Sequence, residues 1–350
     1  MLDEILRAAA TARASDVHLN AGAPPLFRID TVLRPSELNG LSAATLNQLA
    51  RQIMGEKRWT DFQTSRDVDF SYELPSLGRF RINAHYQRQT VALSIRLIEG
   101  KIQTLEALGL PEIATKLTML TQGLVLVTGP AGCGKSTTLA AMIDTINRRD
   151  NGHIITLEDP IEYAMTSKKC AIEQREVGSD VPTFASGLRH VLRQDPDTIL
   201  VGEMRDLETT RAAVTAAETG HLVLSTLHTT SAAQTVERVI GMYPETEQAQ
   251  IRSMLASTLQ AVISQTLIRR SDEAGMVAAV EVMICTPAVR SCIREGRVFE
   301  INNIIETNRA VGMQTLDYSL RCLFMDGRIT RDDAMAHAKF PDKIDRQMVA

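Results

Sequence analysis

The 350-residue chain has little of several things, and each shortage excludes a class of protein. It has five cysteines, at 133, 170, 285, 292 and 322, and no Cys-x-x-Cys pair, so neither a zinc knuckle nor a dithiol redox motif is present. Aromatic residues make up 4%, with one tryptophan, too few for a stacking platform that would hold single-stranded nucleic acid. Charge is nearly balanced, 38 Lys and Arg against 42 Asp and Glu for a net of −4, which removes the global electrostatic case for DNA or RNA. No apolar run approaches the about 20 residues of a membrane span. The acidic start, MLDE, lacks a signal-peptide layout. These features lead us to expect a cytoplasmic protein with no nucleic-acid partner. At 44% hydrophobic and 23% charged residues, the chain can build the full cores of two or three domains.

What is present centres on residues 129–137, GPAGCGKST, which fit the phosphate-binding pattern G-x-x-x-x-G-K-[S/T]. Gly129, Gly132 and Gly134 allow the backbone to wrap a phosphate chain without Cβ clashes. With Pro130, Ala131 and Cys133 they form a turn whose N–H groups and following helix N-terminus face an anion. Lys135 can reach β- and γ-phosphates, the Ser136 hydroxyl can bind Mg²⁺, and Thr137 opens the helix. Cys133 reads as a small filler beside Gly132. An apolar run precedes the loop at 123–128, and Leu139, Met142, Ile143 and Ile146 follow at helical spacing, so the loop sits between strand and helix as the chemistry requires. Binding of a nucleoside triphosphate, ATP or GTP, follows.

Three further segments carry polar chemistry. Residues 154–163, IITLEDPIEY, read as an apolar strand ending in acids, where the carboxyl ends of an open α/β sheet face the ligand crevice. Glu158 there can orient a water for attack on the γ-phosphate, with Asp159 shaping the turn and the Mg²⁺ surroundings. Residues 197–206, DTILVGEMRD, form a second acidic strand, with Gly202 where many such enzymes carry Asp, followed by Glu203, a candidate for holding Mg²⁺ through water or for the base role. His221 and His228 bracket a third strand; seven residues apart they lie about 23 Å from each other if extended, so they cannot share one metal. His228 stands where a γ-phosphate sensor would stand.

The first hundred residues read as a small α+β domain: helices at 2–13 and 41–54, strands at 16–19, 26–29, 66–74 and 79–98. In the last of these, Phe80, Ile82 and Ala84 share one face while Arg79, Arg81, Asn83 and His85 take the other. Arg96 lies opposite Val91, Leu93, Ile95 and Leu97. Such a face either meets phosphates or is simply solvated. Residues 99–111 look like a connector. Beyond them strand patterns at 123–128, 153–158, 197–203 and 221–227 alternate with helices, the mark of an α/β sheet, and 245–340 reads as mostly helical, with a polar, frayed tail after Phe340.

In this order the four motifs resemble the secretion ATPase superfamily of bacterial pilus and type II secretion motors, and within it the type IV pilus retraction ATPases. The resemblance runs from ASDVHL (14–19) to GMQTLD (312–317). The family's Asp box resembles 154–163, its Walker B 197–206, whose Gly202–Glu203 is the family's usual form, and its His box 216–237. Retraction ATPases carry a motif similar to AIRNLIRE. Here Arg290, Ile293, Arg294 and Glu295 match it, Ala288–Val289 replaces its first pair, and Ser291 and Cys292 depart from it. The resemblance implies a PAS-like α+β domain (1–98), a linker (99–111) and a RecA-like P-loop ATPase domain (112–350). It also implies that Arg81 and Arg96 reach nucleotide across a domain or subunit interface. It further implies a homo-hexamer using ATP and Mg²⁺, peripheral at the inner membrane, which works on a pilus platform protein beside a paralogous motor ATPase. The expected outcome is pilin disassembly and twitching motility. Competing readings are an extension or type II secretion ATPase, which usually has a longer N-terminus and a tetracysteine zinc site, a non-catalytic nucleotide-gated regulator, and a nucleic-acid translocase.

Overall fold

The computed structural model describes residues 1–29, 32–75, 77–98, 102–342 and 344. The chain divides into two compact units, one of residues 1–101 with 160–164, the other of residues 102–159 with 165–350.

Period-two alternation governs the first unit. Helix α1 (Leu2–Thr11) leads into strands β1 (Asp16–Leu19), β2 (Leu26–Ile29) and β3 (Val32–Pro35). After helix α2 (Ala43–Ser65) come β4 (Asp67–Leu74), β5 (Gly78–Gln87) and β6 (Thr90–Ile98). The six strands form one antiparallel sheet in the order β3-β2-β1-β6-β5-β4. One face buries Phe70, Phe80, Ile82, Leu93 and Ile95 against Leu6, Leu46, Leu49 and Phe62 of the helices. Each such side chain taken from water contributes about 1.5–3 kcal/mol. Phe62 also stacks on Tyr86 with ring centroids 4.9 Å apart. Helix α2 starts at Ser42, whose hydroxyl accepts the Thr45 N–H, and runs eleven residues beyond the expected end at 54, changing direction at Gly55, where φ is 71°. Strand β3, exposed along its whole length, gives no burial pattern that the sequence could reveal.

The second unit carries α3 (Glu112–Leu117), β7 (Gly123–Thr128), α4 (Lys135–Arg149), β8 (His153–Glu158), β9 (Ala171–Glu176), α5 (Phe184–Val191) and β10 (Thr198–Val201). It continues through α6 (Leu207–Glu218), β11 (Leu222–Leu227), α7 (Ala232–Gly241), α8 (Gln248–Thr258), β12 (Leu259–Arg269) and β13 (Met276–Ile284). Helices α9 (Pro287–Glu295), α10 (Ile301–Thr307), α11 (Leu316–Met325) and α12 (Arg331–His337) follow. The seven-stranded sheet runs β13-β12-β7-β11-β10-β8-β9, parallel throughout except for the β12–β13 pair. One face packs on α4 and the 102–117 segment through Val125, Val127, Met142 and Ile143. The other packs on α5 to α9 through Leu126, Ile155, Val223 and Leu255. The parallel sheet is therefore covered on both sides, as its continuous apolar strands require. It is the doubly covered sheet of a RecA-like P-loop domain.

Two expectations need correction. Helices still make up most of 245–340, but 259–284 form the β12–β13 hairpin inside that stretch, with nine paired positions from Ala261↔Ile284 to Arg269↔Met276. The apolar run LQAVISQTLIR fits a buried strand and a buried helix equally well by periodicity, and only its pairing with β7 decides. Leu105 and Leu110, inside the expected connector, are buried in the core of the second unit; residues 99–101 lie outside the described ones. Of the tail expected to fray, residues 343 and 345–350 also lie outside them, while Ile344 is buried.

Candidate functional site at the carboxyl edge of the parallel sheet

Because β7, β11, β10 and β8 are parallel neighbours, their carboxyl ends lie side by side. The 129–137 loop leaves β7, His228 leaves β11, Glu203 follows β10, and Glu158 ends β8. The topology thus gathers at one edge four segments spread over about a hundred residues of chain.

The loop turns through Gly132 at φ 76° and Gly134 at φ 87°, conformations that side-chain-bearing residues rarely adopt. Helix α4 then begins without any side-chain hydrogen bond at its N-cap. Helices α5, α6 and α7 each start from a side-chain cap, at Thr183, Asp206 and Ser231. Helix α4 alone among these four starts from a glycine, Gly134, so no capping side chain stands between the positive end of its dipole and the loop. Lys135 is largely buried, and its Nζ donates to the Gly129 and Pro130 carbonyls, both at 2.9 Å. Ser136 and Thr137 are half-buried in the first turn of α4. Cys133 is buried, and burial raises its thiol above the ordinary value despite the opposing charge of Lys135.

Glu158 is nearly buried, and Thr156 Oγ1 at 2.6 Å and Gln174 Nε2 at 3.0 Å both donate to its Oε1. Thr156 and Glu158 share the face of β8 that also carries Ile154, on the side of α4. Gln174, on β9, escaped the sequence reading, as did β9 itself, an edge strand whose polar residues hide the pattern. Glu203 and His228 meet: Nε2 of the histidine lies 3.4 Å from one carboxylate oxygen, and Arg205 Nε lies 2.7 Å from the other. His221, at the opposite end of β11, bonds instead to the Ala216 carbonyl and Thr219. The two histidines are separate, and no group of three or more metal-binding side chains occurs among the described residues.

Arg81 and Arg96 lie in the first unit, directly opposite each other across β5 and β6. Both point away from that unit's core and each has an acidic partner there, Asp69 at 3.5 Å for Arg81 and Asp16 at 2.8 Å for Arg96. Burial alone would raise the Asp16 carboxyl, but the Ser15 hydroxyl and Arg96 outweigh it and hold the group below its usual range. In α9, Arg290 reaches back to the Ala256 and Ser257 carbonyls and to Gln260, where it closes the C-terminal end of α8.

A glycine loop between a buried strand and an uncapped helix, with carboxylates ending neighbouring strands, defines a P-loop nucleoside triphosphatase. The loop fits a phosphate chain, and the hydroxyl and carboxylate oxygens of Ser136 and Glu203 suit Mg²⁺. The model of the type II/IV secretion system protein family matches residues 1–318, and the chain belongs to that family. It is 49% identical to the type IV pilus retraction ATPase PilT of Pseudomonas aeruginosa over 97% of this chain and 99% of that one. It is 40% identical to the type IV pilus ATPase PilU of the same organism, over 96% and 88%. A crystal structure of the pilus retraction motor PilT with bound ADP superposes with a TM-score of 0.91 at 43% identity, covering 98% of both chains. No helix among the described residues is long and apolar enough to cross a membrane.

Proposed function

We propose that the chain is an ATP-hydrolysing motor that powers type IV pilus retraction by pilin disassembly. The observation that carries this is the uncapped start of α4 behind the 129–137 loop, beside Glu158 and the Glu203–His228 pair, in a chain 49% identical to PilT. The triphosphate lies against the loop N–H groups, and Lys135 exchanges the Gly129 and Pro130 carbonyls for the β- and γ-phosphates. Ser136 and Glu203 would hold Mg²⁺, which would neutralise phosphate charge. Glu158 orients the attacking water, and the Thr156 and Gln174 bonds fix its carboxylate for that task. His228, tethered to Glu203, senses whether the γ-phosphate is there.

Arg81 and Arg96, brought by a neighbouring protomer, complete the charge neutralisation. An active site finished by a neighbour favours a closed heterologous ring, here a homo-hexamer. The ring sits at the cytoplasmic side of the inner membrane, where it drives a pilus platform protein. A paralogous motor works beside it, in keeping with the PilU relative, and the greater identity to PilT than to PilU supports the principal-motor role. The test is the ATPase rate against protein concentration for wild type and Glu158→Ala, with particle mass measured in parallel. Turnover that rises as rings form and disappears in the variant supports the motor. Tight ATP binding without turnover, in rings supplied with the platform protein, refutes it in favour of a nucleotide-gated regulator.

A further inference from the structure

Gln265 sits in the interior of β12 and is 2% exposed. A primary amide that far from water needs partners at both ends, because an unmet one costs on the order of 1–3 kcal/mol. It finds both on the phosphate-binding segment. Nε2 donates to the Cys133 carbonyl at 2.5 Å, and Oε1 accepts from Thr138 Oγ1 at 2.9 Å. Cys133 lies in the loop and Thr138 in the first turn of α4, so one side chain on a neighbouring strand ties loop to helix. The backbones approach as closely. A Cβ on Gly129 would fall 2.3 Å from the Gln265 carbonyl oxygen, and one on Gly134 3.2 Å from Nε2. One residue away, the Thr128 and Ser264 hydroxyls bond at 2.7 Å and pin β7 to β12.

We infer that Gln265 is a positioning residue for nucleotide binding: its carboxamide holds residues 133–138 in their anion-binding shape from β12. The inference rests on the reading of 129–137 as the triphosphate cradle. A packing role alone would be served by any side chain of similar length, whereas both polar atoms of this one are spent on the loop and the helix start.

The test uses full-length protein carrying Gln265→Met, which keeps length and loses both bonds, and Thr138→Val, which loses one. Affinity is read with a fluorescent ADP analogue. Exposure of the loop is read as the rate at which Cys133, 3% exposed, reacts with a maleimide, located by peptide mass analysis. Gln265→Met is expected to weaken ADP binding about tenfold, the equivalent of two ordinary hydrogen bonds. It should also speed Cys133 labelling in the free protein, and saturating ADP should restore the wild-type rate, which a merely looser core would not do. Thr138→Val should lose about threefold. A folded Gln265→Met protein with wild-type affinity and labelling overturns the inference. If that variant does not fold, Thr138→Val decides alone, and unchanged affinity there overturns it. Lys135→Ala separates the two readings. If it binds ADP normally, the cradle itself is misread; if it loses ADP while Gln265→Met does not, only the role of Gln265 fails.

Discussion

Replacing Gly129 by alanine should destabilise the second unit far more than replacing Gly132, although both glycines belong to one loop. Gly132 has φ 76° with nothing within 4 Å of a hypothetical Cβ, so alanine there meets only the backbone cost of that conformation, about 1–2 kcal/mol. Gly129 has φ 141°, and its Cβ would stand 2.3 Å from the Gln265 carbonyl oxygen and 2.6 Å from Cys133 Sγ. The thiol can turn aside, but the carbonyl belongs to a strand paired with β7 at Ser264↔Thr128, so strand ends must part. Forcing atoms into a packed site adds about 1–3 kcal/mol, which brings the total to about 2–5 kcal/mol. In a unit of this size each kcal/mol lowers Tm by about 2–4 °C. The nucleotide-free Gly132→Ala protein should therefore melt about 4 °C low and Gly129→Ala about 10 °C low, by circular dichroism at matched concentration. Equal melting temperatures would refute the close backing of the loop by β12.

Other outcomes follow from single side chains. Glu281 is buried beneath Lys339 and Asp317 and accepts the Ala232 N–H; burial raises its carboxyl above the ordinary value, with that N–H and Lys339 opposing and Asp317 reinforcing. A raised carboxyl costs stability as pH climbs past its unfolded value, so Glu281→Gln should melt higher than wild type near pH 8, and the gap should close near pH 4. Arg96→Ala, assayed in assembled protein, should keep ADP binding and lose turnover by about 10³–10⁵; normal turnover would remove Arg96 from the catalytic set. Phe62→Ala, which empties a fully buried aromatic site, should destabilise the first unit by about 3–5 kcal/mol in urea melts; a loss under 1 kcal/mol would contradict its packing.

The candidate site was legible where its residues lie close to their own strands in sequence. The loop, Glu158, Glu203 and His228 each end or follow an apolar run whose strand character the sequence declares, and parallel pairing did the rest. Legibility failed where a residue acts through a distant strand. Gln174 and Gln265 touch residues 16 and 127 or more positions away, and nothing local marks them. A faint signal existed for Gln265, since an amide inside the run AVISQTLI must satisfy itself somewhere. Missing β12 as a strand hid where. In the first unit the alternation of 79–98 revealed both strands and the outward arginines, but the acids that hold them lie on β1 and β4, beyond the reach of periodicity.

Strands β7 and β11 are buried at all six of their residues. Amide protons along them should be among the last in the chain to exchange with solvent, since freeing them means opening the sheet at its middle. The phosphate loop is hung from this unyielding seam like the fixed jaw of a vice. A ligand seated on 129–137 would therefore rest on the part of the second unit that opens last.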